Sequence, residues 1–130
     1  MSSAEILRLR LRCDHEAPRL AREALGGLEV AQPVRDDAVL VASELTTNAV
    51  LRSGGEAGQE LELLAERVPD GLRITVRDTG GAGGQGGKES GRSRPPPGPA
   101  GVSLRIVQAI ARRWGAEPSN GQRLWAVLAL

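Results

Sequence analysis

Leu7, Leu9 and Leu11 alternate with Arg8, Arg10 and Arg12 near the start of the chain, the period-two pattern of a strand with one buried face. Asp14 follows as a cap for a helix whose first turns contain Pro18, and Gly26-Gly27 ends it with residues that tolerate positive φ. A second helix has Asp36 and Asp37 in its first turn, an apolar stripe of Ala38, Val41, Ala42, Leu45 and Ala49, and Gly54-Gly55 as its close. Two strand-like runs come next, Glu60 to Arg67 and Leu72 to Asp78, and Pro69-Asp70-Gly71 between them suits a tight antiparallel hairpin. From Thr79 to Ala100 the pattern dissolves into glycine, polar residues and Pro95-Pro96-Pro97, with too little apolar surface to offset the entropy of ordering. This segment is expected to be a mobile loop. A third helix is predicted from about Val102 to Trp114, stopped by Gly115 and Pro118, and a last strand from Gln122 to Leu130 after the Asn120-Gly121 turn. Strand, two helices, two strands, loop, helix, strand is the order of an α+β fold with a helical layer on one face of a mixed sheet.

At 130 residues the chain is long enough for one domain with a core and short for two, so a single domain over 1–130 is expected. Its 17 basic and 16 acidic side chains nearly cancel, which gives no reason to expect nucleic acid or a membrane as a direct partner. Lys88 is the single lysine, and the abundance of Arg, Ala and Gly with no Phe or Tyr marks a high-GC genome. Cys13 is the one cysteine, so an internal disulfide and a multi-cysteine metal site are both excluded, in keeping with a reducing cytoplasm. No apolar run approaches the roughly 20 residues that span a bilayer, and Met1 to Arg12 lacks a signal-peptide core. A cytoplasmic location is expected.

The chemistry concentrates in two places. Glu44-Leu45-Thr46-Thr47-Asn48 puts a carboxylate and a carboxamide one helical turn apart on one face, where they can share a metal ion and a water. Val76-Arg77-Asp78-Thr79-Gly80 ends a strand on a lone Asp, able to accept a hydrogen bond from an exocyclic amine, and passes into glycines that permit close backbone approach to a ligand. Together they point to an ATP site. Gly81-Ala82-Gly83-Gly84-Gln85-Gly86 matches the dinucleotide fingerprint by letter, but no helix opens after it. Gly87-Lys88 resembles the end of a Walker loop, but Ala82 and Glu89 fail two of its required positions. His15 reads as a surface residue, Cys13 as a small packing residue, and Trp114 and Trp125 as core anchors.

The run Leu40 to Ala49, then Val76 to Gly80, then Gly101-Val102-Ser103-Leu104-Arg105-Ile106-Val107 and Arg113-Trp114-Gly115 resembles the histidine-kinase-like ATPase (GHKL) superfamily. Within it the chain is most similar to the small anti-sigma-factor serine kinases of actinobacteria, and the similarity runs in order over nearly the whole chain. The resemblance implies a two-layer α/β sandwich of the Bergerat type, with a mixed, mostly antiparallel sheet and helices on one face. It implies ATP and Mg2+ as cofactors. Glu44 would be the general base, Asn48 the magnesium ligand, and Asp78 the acceptor for the adenine amine, with Gly80 forming the turn beneath the base. Gly101 would begin the phosphate loop ahead of the third helix, with Ser103 and Leu104 following in the same box, and residues 79–100 would be the lid. A sigma factor and a small antagonist protein are the partners implied, and a homodimer is a further assembly that the resemblance allows. The chain departs from the family at Ser103, where a second glycine is usual, at Ala82, at Arg52 in place of a histidine, and at Arg123 in place of a threonine that supports the adenine site. These departures make a binding module of the same fold, without catalysis, the alternative reading.

Overall fold

The computed structural model describes residues 3–53, 59–78, 99–118 and 122–130. β1 (Ala4–Arg12) realises the leucine–arginine alternation: Leu11 is buried, Leu7 and Leu9 are half-buried, and Arg8, Arg10 and Arg12 are exposed. α1 (Ala17–Leu25) takes Pro18 into its first turn and buries Ala17, Ala21 and Leu25 at four-residue spacing, a single stripe down one side. Asp14 does not cap it as expected. The residue before the helix is Glu16, no side chain caps there, and Asp14 Oδ1 instead accepts the Glu16 backbone N–H at 3.0 Å. Nor does the end of α1 use glycine's left-handed freedom, since Gly26 stays at φ −66°.

α2 (Gln32–Ser53) begins four residues earlier than the two aspartates indicated, with Pro33 in its first turn, where no N–H is needed. Asp36 and Asp37 lie one turn further in and are exposed. The predicted stripe is borne out, with Ala38, Val41, Ala42 and Leu45 at 0% exposure and Ala49 packed at its margin. α2 is the central helix: α1 packs along one side, α3 (Pro99–Ile110) along another, and the sheet lies beneath through β3 and β5.

β2 (Glu60–Val68) and β3 (Gly71–Asp78) form the predicted hairpin, with Pro69-Asp70 as its turn and Val68 paired to Gly71. The largest departure from expectation comes after α3. The helix ends at Ile110, and Arg113 to Pro118 form a strand, β4, that pairs antiparallel with β5 (Gln122–Leu128). The Arg112 N–H already donates to the Val127 carbonyl at 2.8 Å, so sheet hydrogen bonds replace those of a further helical turn. Among the described residues five strands therefore form one sheet in the order β1-β2-β3-β5-β4. Each of the four ladders is antiparallel, where the order of elements indicated a mixed sheet.

The sheet has one apolar and one charged face. Leu63, Ile74, Val76, Leu124 and Ala126 join the core under the helices. The outer face carries ion pairs: Arg8–Glu62 at 2.6 Å, Arg73–Glu66 at 2.8 Å, Arg77–Glu62 at 3.0 Å and Arg10–Glu60 at 3.2 Å. The two tryptophans divide between these faces. Trp114 packs against the core as predicted. Trp125 does not: its ring lies over Gly115, Arg113 stacks on it at 5.4 Å, and its Nε1 donates to Glu117 at 3.4 Å. Cys13 is buried in the core and His15 is exposed, both as expected.

Candidate functional site

Glu44 and Asn48 lie on consecutive turns of α2. Glu44 is half-buried, whereas Asn48 is fully buried. Two hydrogen bonds fix this stretch of helix. The Thr46 hydroxyl donates to the Ala42 carbonyl at 2.5 Å, and Arg22 of α1 donates from Nη1 to the Ser43 hydroxyl at 3.0 Å. The first is the back-bond by which a threonine satisfies itself inside a helix. The second anchors α1 to the residue just before Glu44.

Asp78 is the last residue of β3 and stays within the ladder, opposite Leu61. Where the C-terminal turns of α2 meet this strand end, Ala49, Arg52, Val76, Asp78 and Leu124 line a small, partly open hollow among the described residues. Its apolar walls come from the helix and two strands, and the carboxylate of Asp78 is its polar end. Burial pushes the Arg52 guanidinium below its ordinary value, and the negative charge of Asp78 opposes that shift.

The elements thereby bring Asp78 to the helix that carries Glu44 and Asn48, directly against the turn that follows Asn48. Other expected site residues fall differently. Gly80, like the whole 79–98 stretch of the expected lid, lies outside the described residues, as do Gly54, Gly55 and the Asn120-Gly121 turn. Gly101 does not begin a loop ahead of the helix: α3 starts at Pro99, so Gly101 is in its first turn and Ser103 shortly after. Proline is favoured in the opening turn because its missing N–H costs nothing there. Leu104 is a fully buried core residue. Arg123 is not among the residues that line the hollow. Successive residues of β5 point to opposite faces, so Leu124 lines the hollow while Arg123 reaches Glu117 on the outer face at 2.6 Å. Arg52 is the wall residue that sequence reasoning noticed only as a substitution, Ala49 was read as part of the apolar stripe of α2, Val76 as the start of the strand-end motif, and Leu124 only as part of the last strand.

The donor set can be weighed against the expected cofactors. A carboxylate at the end of an apolar slot suits a flat base bearing an amine. Asn48 offers a carboxamide oxygen, the hard donor that magnesium takes, with the Glu44 carboxylate one turn away. Among the described residues no three His, Cys, Asp or Glu side chains gather as a metal site, so a magnesium ion held here would rely on phosphate oxygens and water for most of its shell. No helix among the described residues is long and apolar enough to cross a membrane. No family model matches the chain, and no curated protein matches it.

Proposed function

We propose that the chain is an ATP-binding regulatory protein of the anti-sigma serine-kinase type, built on a Bergerat-type sandwich, which captures a sigma factor and phosphorylates a serine of a small antagonist protein. The observation that carries this reading is the convergence of Asp78 at the end of β3 with the turn of α2 that follows Glu44 and Asn48, around a hollow walled by Ala49, Val76 and Leu124. Asp78 accepts from the amine of the base, and the apolar walls cover its faces. Asn48 holds magnesium, which supplies neutralisation of phosphate charge when bound. Glu44, half-buried on the same face of α2, takes the proton from the attacking serine hydroxyl. Phosphoryl transfer asks mainly for positioning and charge neutralisation, so this small set suffices.

A specific observation favours the alternative, a protein-binding module of this fold with weak or no nucleotide binding: among the described residues the hollow beside Asp78 is far smaller than a ligand pocket of ordinary size. Calorimetric titration with ATP and with GTP, each with magnesium, separates the two. The kinase reading expects ATP to bind at tens to hundreds of micromolar, on the order of −5 to −6 kcal/mol, and GTP at least ten-fold more weakly. A folded protein that binds neither at millimolar concentration while still capturing a protein partner belongs to the alternative.

A further inference from the structure

The outer face of the sheet sets two arginines side by side. One line of cross-strand partners runs Glu62, Arg77, Arg123, Glu117 across β2, β3, β5 and β4. Residues directly opposite on one face have Cβ atoms about 5 Å apart, and like charges so placed repel. The acids stand outside the pair: Arg77 turns Nη2 to Glu62 at 3.0 Å, and Arg123 turns Nη1 to Glu117 at 2.6 Å. Neither acid bridges the two arginines. The other oxygen of Glu62 accepts from Arg8, and that of Glu117 from Trp125, so both carboxylates are engaged at each oxygen. A guanidinium carries five N–H donors, and among the described residues Arg77 and Arg123 each use a single nitrogen. Alongside them runs an open groove of about 270 Å³, close to the lower end of the range for small-ligand sites. Arg8, Arg73, Arg77 and Arg123 line it against Glu62 and Glu66, which leaves the lining net positive. Thr75 lies in the same lining, on the outward side of β3 between Arg73 and Arg77. It is 5% exposed, and its hydroxyl has no hydrogen-bond partner among the described residues. A buried hydroxyl without a partner is a cost to the fold that a ligand oxygen can offset.

We propose that this groove is a binding site for a phosphate group, seated between Arg77 and Arg123 with the Thr75 hydroxyl as a third donor. A tetrahedral oxyanion has an oxygen for each of the three, and guanidiniums meet it with charge-assisted, paired N–H bonds. The anion also relieves the repulsion between two neighbouring cations that no acid bridges. The site lies on the face of the sheet away from the helices, so it stands or falls independently of the ATP reading.

The test is a nitrogen-15 NMR titration of the whole chain with sodium phosphate and, separately, with glycerol 2-phosphate, sodium chloride holding the ionic strength constant. Arginine Nε–H and backbone amide resonances are followed, and the amide spectrum reports the fold of each variant. The wild type is expected to shift at Arg77, Arg123 and Thr75 and to saturate with a Kd on the order of a millimolar. Arg77→Gln and Arg123→Gln are each expected to weaken binding at least ten-fold, and Thr75→Val, which keeps the shape and loses the hydroxyl, several-fold. Arg10→Gln removes the same charge from the same face, where Arg10 pairs with Glu60 outside the groove, and should leave the Kd within about two-fold, as screening of exposed charges implies. Saturation by phosphate alone identifies the free ion as the ligand, and saturation by the ester as well identifies a phosphorylated molecule; either result supports the site. Shifts that never saturate, that chloride reproduces, or that weaken as much in Arg10→Gln as in Arg77→Gln would overturn it and leave an ordinary solvated charged face. An unchanged Kd in Thr75→Val would overturn the part given to the hydroxyl.

Discussion

Gly71 stands at φ +153°, and a Cβ built there would lie 2.0 Å from the Leu128 carbonyl oxygen, a backbone atom of the neighbouring strand. Both the conformation and the contact exclude a side chain. Gly71→Ala is expected to destabilise the protein by roughly 3 kcal/mol or more, read from the urea midpoint. Asp78 is a residue of the other kind, one whose side-chain chemistry matters more than its space. With a carboxylate facing the base, adenine presents an amine and guanine a carbonyl, so guanine leaves two acceptors opposed, at a cost of about 1–3 kcal/mol. Asp78→Asn can turn its amide to donate instead, and the ratio of ATP to GTP affinity is expected to fall from at least ten-fold towards one. An unchanged ratio would show that Asp78 does not read the base. The placement of Glu44 and Asn48 on one helix and of Asp78 at a strand end was legible because it is local: a spacing of four within a helical stripe and the end of an alternating run. The facing of Arg123 and Trp125 was not, because it depends on the register of β5 between β3 and β4, and one position of slip reverses every side chain.

Among the elements, β1 and the β2–β3 hairpin could be read from alternation and turn residues. β4 could not. Arg113-Trp114-Gly115-Ala116 shows no clean alternation, because Gly115 leaves room for the Trp125 ring, to which an added Cβ would come within 2.7 Å. What makes the segment a strand is its partner, β5, and a tether at its start. Arg113 forms a two-point pair with Asp70 of the hairpin turn, Nε to Oδ2 and Nη2 to Oδ1, both at 2.9 Å. The Arg113 guanidinium holds the Asp70 carboxyl down at about 2, below its ordinary 3.8. A depressed folded-state value means that the ionised form stabilises the fold. That contribution is fully present above the unfolded value and is lost as pH falls from about 4 through about 2. Asp70→Asn is therefore expected to lower stability slightly at neutral pH, as an exposed pair implies. The gap between wild type and variant should close as the pH drops below about 4. Thermal melts across that range measure it, and a gap that persists unchanged at pH 2 would show that the charge of Asp70 is not its source.

The whole molecule separates its tasks by layer. The outer face of the sheet pairs its arginines with acids strand by strand, which keeps it solvated and, pair by pair, adds little stability. The apolar face anchors α2, and at the end of β3, where helix layer and sheet meet, the candidate chemistry sits. The helical layer over a sheet was legible because it follows from periodicity. Whether this junction catalyses or only binds is decided by the two residues on α2. If Glu44 is the base that the proposed function assigns, it acts on the hydroxyl and not on the phosphates, so Glu44→Ala is expected to reduce phosphate transfer to an antagonist serine by at least a hundred-fold, the low end of what a general base contributes, while the Kd for ATP stays within about three-fold. On the proposed role of Asn48 as the metal ligand, Asn48→Ala should weaken ATP binding in the presence of magnesium and reduce transfer with it, yet leave adenosine binding in place, since Asn48 would then meet the ion and not the base. Because Asn48 is fully buried, the adenosine titration also reports whether the helix survives the truncation. Transfer that persists in Glu44→Ala at the wild-type rate would remove Glu44 as the base, and adenosine binding lost together with ATP in a folded Asn48→Ala protein would mean that Asn48 shapes the hollow and does not serve the metal.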